Sequence, residues 1–498
     1  MMSLLRRLRE FWPLGGQAAA YARKRRARLV SLVVVLAHLA GALTSVRAIL
    51  DVRTAQGTIA WVVSLNTLPY VAVPAYWIFG RSKFHGYVLE RRKDVLETSA
   101  VARQFITNLM ERALIALPER NRTLLVEKLA KLPYTQANDA ELLMDGEATF
   151  KSIFEGMDRA RDYILAQFYI IRDDQVGREF KRRLLAKARA GVRCYVLYDE
   201  VGSSNLPRRY LAELESAGVE VRPFDTTKGR ANRFQINFRN HRKIVVVDGR
   251  EAWVGGLNVG DEYLGRDPKI GYWRDTHTRL RGPIVPCIQV SFLEDWHWAA
   301  GRSPRLNWDP QPAGGGKRLA ILCLPSGPAD PLETCALYFV HEINRAQQRL
   351  WIASPYFVPD EQVITALKLA ALRGVDVRIL IPDKGDSQLV QLTAWTYLEP
   401  LEKVGIRFYR YNKGFMHHKV VMFDDECAIG TANFDNRSFR LNFEITLQFS
   451  GREFTDQVAT MLEHDFAGAR PVSSAELEAR GFWFRFATRA ARLLAPVQ

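Results

Sequence analysis

The sequence predicts an α/β protein of two fused, similar halves, each a mixed sheet flanked by helices, behind an N-terminal pair of transmembrane helices. Three observations lead there. A stretch of the form H-x-K-x-x-x-x-D, followed by two small residues and then Asn, occurs twice. A strand–helix–strand pattern also occurs twice, in nearly the same register. The first 93 residues gather two uncharged apolar stretches between clusters of arginine.

Taken in chain order, residues 1–93 read as a membrane anchor. Leu29 to Val46 is eighteen residues without a charge and Thr58 to Phe79 is twenty-two, although His38, Asn66, Pro69 and Pro74 interrupt them. Either length suffices for a bilayer core of ~30 Å at ~1.5 Å per helical residue. Arg23, Lys24, Arg25, Arg26 and Arg28 precede the first stretch, and Arg81, Lys83, Arg91, Arg92 and Lys93 follow the second. The connection holds only Arg47 and Arg53. The excess of basic residues at both ends predicts that both ends, and with them the rest of the chain, lie in the cytoplasm. Fifteen Lys/Arg against three Asp/Glu leave this segment at +12 of the total +16, so the other 405 residues carry +4. A nucleic-acid reader places its basic surface on the folded domain, so nucleic acid is not an expected partner. Five cysteines (Cys194, Cys287, Cys323, Cys335, Cys427) lie far apart with no C-x-x-C pair, which fits a reducing compartment and not a zinc site.

Residues 94–315 form the first half. Asp162 to Tyr169 is an apolar run, Gly177 to Ala190 has helical spacing, and Val192 to Tyr198 is the next strand. The second half, 316–475, repeats the series with Arg349 to Ala353, Asp360 to Leu372 and Val375 to Ile381. Gly191 aligns with Gly374 at an offset of 183 and His241 with His417 at 176. Such self-similarity marks a duplication, and the strand–helix–strand order predicts parallel pairing. Residues 476–498 form a C-terminal basic and aromatic helix. Its stretch from Arg480 to Leu494 interleaves arginine with Phe482, Trp483, Phe484 and Phe486 and holds no acid.

The duplicated motif carries the chemistry. Residues two apart on a strand share a face, so His241 pairs with Lys243 and His417 with Lys419. Two such strands brought together place two imidazoles and two ammonium groups around one phosphodiester. One imidazole can attack phosphorus while the other handles the proton. The lysines offset charge in the transition state, and the amides of Asn258 and Asn433 can donate to the same oxygens. No metal or other cofactor is expected, since lysine supplies the positive charge. Asp248 and Asp424 complete the motifs at turns, where a structural role supporting the site is expected. Arg242 and His418 are expected to alternate outward on their strands. The second motif is one residue shorter between Asp424 and Gly430 than the first between Asp248 and Gly255, which predicts a shifted Asn433.

These motifs, together with Gly271 to Asp275, Ser354 to Pro359, Lys413 to His417 and Asn436 to Glu444, resemble the phospholipase D superfamily, and within it the bacterial cardiolipin synthases. The likeness runs from the first hydrophobic segment almost to the end of the chain. It implies two phospholipase-D-like halves. It also implies phosphatidyl transfer between two phosphatidylglycerols, with release of glycerol, through an intermediate on His241. The expected partners are anionic phospholipid and a membrane, with a multi-pass protein in the inner membrane and its catalytic part on the cytoplasmic side. Oligomeric state is left open. The resemblance further implies that an acid of one half orients the histidine of the other: Glu444 for His241 and Asp275 for His417. Hydrolysis by the same residues, as in a phospholipase D, is the alternative. A nuclease on the same frame fits less well, given the near-balanced charge beyond residue 93.

Overall fold

A computed structural model describes residues 13–51, 54–80, 83–84, 87, 104–116, 124–227, 237–316 and 318–498. The predicted basic residues Arg53, Arg81, Arg91, Arg92 and Lys93 lie outside them. The chain forms two compact units, Met1–Ser82 and Lys83–Gln498.

The N-terminal unit departs from the predicted pair of transmembrane helices. Helix α1 (Pro13–Asp51) contains Ala20–Asp51, which among the described residues is the one helix long and apolar enough to cross a bilayer. The second apolar stretch is not one helix. It breaks at Leu68 (φ −132°, ψ 55°) into α2 (Ala55–Thr67) and α3 (Pro69–Phe79). Pro69 starts α3, where a missing N–H costs least. The chain turns back there, so that Tyr76 meets Trp61 edge-on at 5.3 Å. A helix of 13 residues reaches only ~20 Å, short of a bilayer core. Both short helices pack on α1, where Asn66 Nδ2 donates to Ser45 Oγ at 2.8 Å and Gly41 faces the Leu65 carbonyl so closely that a Cβ would clash.

The larger unit is built on one mixed sheet of near-twofold symmetry. The first half supplies β1 (Thr135–Met144), β2 (Tyr163–Phe168), β3 (Arg193–Asp199), β4 (Glu220–Phe224), β5 (Ile244–Val247), β6 (Glu251–Gly255) and β7 (Thr276–Arg281). The second supplies β8 (Leu319–Ser326), β9 (Arg349–Ala353), β10 (Asp376–Pro382), β11 (Arg407–Tyr411), β12 (Val420–Phe423), β13 (Glu426–Gly430), β14 (Asn442–Ser450) and the edge strand β15 (Arg470–Val472). Outward from the centre the order is β1-β7-β6-β5-β2-β3-β4 on one side and β8-β14-β13-β12-β9-β10-β11-β15 on the other. Antiparallel β1 and β8 join the halves, with Thr135 opposite Ile321. The predicted strand–helix–strand units are there: α5 (Gln175–Arg189) links parallel β2 and β3, and α9 (Glu361–Leu372) links parallel β9 and β10.

Alternation along the strands explains the layers. Ile164, Ala166 and Phe168 of β2 face a core shared with α4 (Asp145–Arg159), α5 and α6 (Arg208–Ser216), whereas Tyr163 and Leu165 face the core shared with α7 (Ile284–Ala300) and the second half. The second half repeats this with α8 (Thr334–Arg345) before β9, α10 (Gln388–Glu402) before β11 and α11 (Arg452–Ala467) after β14. Strands buried on both faces carry unbroken apolar runs, such as Ile244–Val247 and Val420–Phe423.

Candidate active site

The two histidines leave their sheets in the same way. The two-residue strand Arg239–Asn240 pairs in parallel with Asn442–Phe443 of the other half, and His241 N donates to Phe443 O at 2.9 Å. In mirror fashion Phe415–Met416 pairs with Trp273–Arg274, and His417 N donates to Arg274 O at 2.7 Å. Each histidine is thereby set beside the next residue of the opposite strand, which is a carboxylate in both cases.

His241 Nδ1 lies 3.0 Å from both oxygens of Glu444. His417 Nδ1 lies 2.7 Å from Asp275 Oδ2. Both pairs are buried. Burial pushes the two acids up, but His241 and Lys243 together with a hydrogen bond from Thr431 hold Glu444 below the usual carboxylate range, and His417 and Lys419 hold Asp275 at about 2. An ionised carboxylate can only accept a hydrogen bond. Nδ1 therefore carries the ring proton and Nε2 is left bare. The histidines are neutral too. Burial lowers His241 to about 4, against the pull of Glu444, and burial with the neighbouring Lys419 lowers His417 to about 3.

Each lysine lies back across its own histidine. Lys243 Nζ donates to His241 O at 2.6 Å and stands over the Tyr169 ring. Lys419 Nζ donates to His417 O at 2.7 Å and lies 2.9 and 3.0 Å from the two ring nitrogens. Burial lowers both lysines, Lys243 well below its ordinary range and Lys419 to about 8. Each lysine also acts electrostatically on the histidine of the other half, so the four groups share one centre.

Asp248 and Asp424 hold the outer turns. Both have left-handed backbone, with φ of 53° and 51°. Asp248 accepts from the backbone N–H groups of Arg161, Asp162 and Tyr163, each at 2.8 Å. Asp424 does the same for Gln347, Gln348 and Arg349. Each carboxylate thus ties its hairpin to the start of the neighbouring antiparallel strand, β2 or β9, and has no hydrogen bond to either histidine.

The one-residue difference between the motifs is absorbed in these turns. Three residues connect β5 and β6, where Val247 faces Glu251, and two connect β12 and β13, where Phe423 faces Glu426. The strand register up to Gly430 is the same as that up to Gly255, so the missing residue comes out of the turn and not out of a strand. The two asparagines still differ in their partners. Asn258 donates to the Tyr263 hydroxyl at 2.9 Å and accepts from Ile170 N at 3.1 Å, whereas the Asn433 side-chain oxygen is buried without a hydrogen bond.

Arg242 and His418 point to the opposite face, but that face is the core and not the outside. Arg242 binds Asp295 Oδ2 of α7 at 2.7 Å. His418 Nε2 lies 3.1 Å from Asp465 Oδ2 of α11, and its Nδ1 lies 2.5 Å from Thr276 Oγ1. Sequence reasoning also passed over the donors that hold Glu444: Thr431 Oγ1 at 2.6 Å, Ser438 Oγ at 2.9 Å and Asn442 Nδ2 at 3.2 Å. Ser438 and Asn442 sit in the stretch that carried the family resemblance, which was the available signal. Trp273 and Phe415 wall His417 at 4.9 and 5.6 Å, and Tyr169 meets His241 edge-on at 5.2 Å. In the first half the counterpart of Thr431 is Gly256, where a Cβ would strike the Asp275 carboxylate.

A family model described as cardiolipin synthase, PLD-like domain, matches residues 153–270 and 339–466, one copy in each half. The chain is 47% identical over 472 residues to cardiolipin synthase A of Pseudomonas entomophila (strain L48), covering 93% of this chain and 98% of the relative. It is 47% identical over 480 residues to cardiolipin synthase A of Pseudomonas fluorescens (strain SBW25), covering 94% and 98%. The fold is that of phosphatidylserine synthase from Haemophilus influenzae Rd KW20, with a TM-score of 0.59 at 16% identity over 76% of this chain and 100% of the other.

Proposed function

The chain belongs to the cardiolipin synthases of the phospholipase D superfamily, a family of phosphatidyltransferases, and we propose that it joins two phosphatidylglycerols into cardiolipin with release of glycerol. The observation that carries the mechanism is the crossed pairing of two buried, neutral imidazoles with two ionised carboxylates. His241 Nε2 attacks the phosphorus of the first lipid. The bond to glycerol breaks, and His417 Nε2–H protonates the departing alkoxide. His417, now neutral, takes the proton from the terminal hydroxyl of a second phosphatidylglycerol, whose oxygen attacks phosphorus as the bond to His241 breaks. The first step needs His417 protonated. The phosphate anion of the substrate offsets the lysines that otherwise disfavour that proton. Lys243, Lys419, Asn258 and Asn433 face the charge that builds on the phosphoryl oxygens.

Residues 1–93 anchor the enzyme in the inner membrane, with the basic flanks of the two apolar stretches on the cytoplasmic side. That arrangement requires α2 and α3 to open end to end, since their 24 residues then reach ~36 Å. A cysteine placed in the 47–57 connection between the two apolar stretches is then labelled from outside the cell, and one near residue 300 is not. Labelling at 300 from outside overturns the sidedness.

Incubation of the purified enzyme with phosphatidylglycerol, read by mass spectrometry, tests the reaction. Cardiolipin and glycerol in equal amounts are expected. Phosphatidic acid as the main product identifies a hydrolase instead.

A further inference from the structure

We propose that α12 (Phe482–Arg492), the last helix of the larger unit, is an interfacial element that seats this unit on an anionic lipid surface. The proposal rests on the reading of the enzyme as one that acts on membrane phospholipid.

At ~100° per residue the helix has three arcs. One is used for packing. Thr488 and Ala491 are buried on it, Phe484 meets Trp395 of α10 at 6.2 Å, and Arg492 lies over the Tyr397 ring and pairs with Glu361 at 3.0 Å. The second arc faces away and is apolar. Phe482, Trp483 and Phe486 are 63%, 77% and 56% exposed, and Leu493, one residue past the helix, is 81% exposed. Phe482 and Phe486 stack on each other at 6.3 Å in place of any core. The third arc carries Arg485 and Arg489, which also line a groove against α10 beside Lys403 and Lys368. From Gly481 to Gln498 there is no acid.

Packing on α10 therefore accounts for one side of the helix only. The other side exposes three aromatic rings and a leucine in one patch, which in a water-soluble setting costs free energy. A bilayer interface accepts this combination. The rings enter at headgroup depth and the arginines reach lipid phosphates. A second copy of the chain fits less well, because pairing the apolar arcs brings two arginine edges together while the helix itself offers no acid, although Glu399 and Glu478 line the groove beside them.

The test uses the full chain reconstituted in vesicles. The native cysteines are all buried, so Phe486→Cys can be labelled selectively with an environment-sensitive fluorophore, with Ser216→Cys on α6 as the control. With nitroxide-bearing lipids in vesicles containing phosphatidylglycerol, the label at 486 should be quenched severalfold more than the one at 216, and it should be quenched less in vesicles of phosphatidylcholine alone. Equal quenching at 486 and 216 overturns the proposal, and equal quenching in both lipids overturns its anionic part. Shielding of the label in lipid-free detergent that grows with protein concentration assigns the face to a second copy and also overturns it. In a Trp483→Ser/Phe486→Ser variant, turnover of vesicle substrate should fall severalfold, while turnover of dispersed short-chain phosphatidylglycerol stays at the unsubstituted level. Loss of both activities would mean that the packed face, not membrane seating, had been damaged, and would overturn the assignment. If the unsubstituted chain turns over neither substrate, the failure belongs to the functional reading and not to the helix.

Discussion

Both carboxylate oxygens of Glu444 lie 3.0 Å from His241 Nδ1, although 203 residues separate the two in the chain. The pair exists because a two-residue strand before the histidine adds to the strand that carries the acid. Neither half of the protein holds both a site histidine, His241 or His417, and the carboxylate that meets its Nδ1.

Glu444→Gln tests the orienting role. Glutamine keeps the size, and Thr431, Ser438 and Asn442 can still donate to its oxygen. Its amide hydrogens compete with Nδ1–H, however, and favour the wrong tautomer of His241. The rate should fall on the order of 10²- to 10⁴-fold, as for loss of the orienting acid in a triad, with an unchanged melting profile. An activity within twofold of the parent enzyme contradicts the role.

The pH profile of kcat/KM follows from the lysine. The Lys419 ammonium is held near 8, against ~10.4 for free lysine. Its charge is present below that value and is lost as pH rises through it. Since kcat/KM reports the free enzyme, loss of the Lys419 charge should add a break near 8 to the alkaline side of the profile, and Lys419→Arg should move that break upward. Stability has its own sign. Histidine at ~6.5 when unfolded and about 4 or 3 when folded means that the unfolded chain binds the extra protons in between. This contribution is complete above ~6.5 and is lost as pH falls toward 4, as a melting-temperature series would show.

The ion pair behind the motif concerns stability alone. Asp295→Ala strips the buried Arg242 guanidinium of its carboxylate and removes an acceptor that Gln167, Asn240 and Tyr87 share with it. A loss of about 3–5 kcal/mol is expected from an uncompensated buried charge, measured by denaturant unfolding.

The motif aspartates separate from the histidines in the same way. Asp248→Ala removes the acceptor for three backbone N–H groups. It should cost about 1–3 kcal/mol while leaving measurable activity at low temperature. His241→Ala should be stable and inactive. Complete inactivity of a folded Asp248→Ala variant would place that carboxylate in the chemistry.

What could be read from sequence was local. The 162–198 and 349–381 series fell close to the observed strands and helices because their apolar periods are regular, whereas His241–Lys243 and His417–Lys419, expected on strands, lie in the links between a two-residue strand and the next one. What could not be read came from contacts across the chain. Arg242 was expected to face outward because alternation gives the opposite face, but not that the second half covers it. No periodicity marks Thr431 or Ser438 as donors to Glu444. In the N-terminal unit the count of uncharged residues concealed a reversal at Leu68, although Pro69 stood at the break. The shortened second motif suggested a moved Asn433, because spacing alone does not tell whether a missing residue comes out of a strand or, as here, out of a hairpin turn.

The central claim is that His241 takes the phosphatidyl group while His417 moves protons, and an activated substrate separates the two roles. A phosphatidyl ester of nitrophenol has a leaving group that needs no proton. His417→Ala should release nitrophenol from it in a burst of about one equivalent per site, and alkaline-quenched digests should carry the phosphatidyl adduct on the peptide containing His241. Absence of a burst, or an adduct on any other residue, would contradict the account.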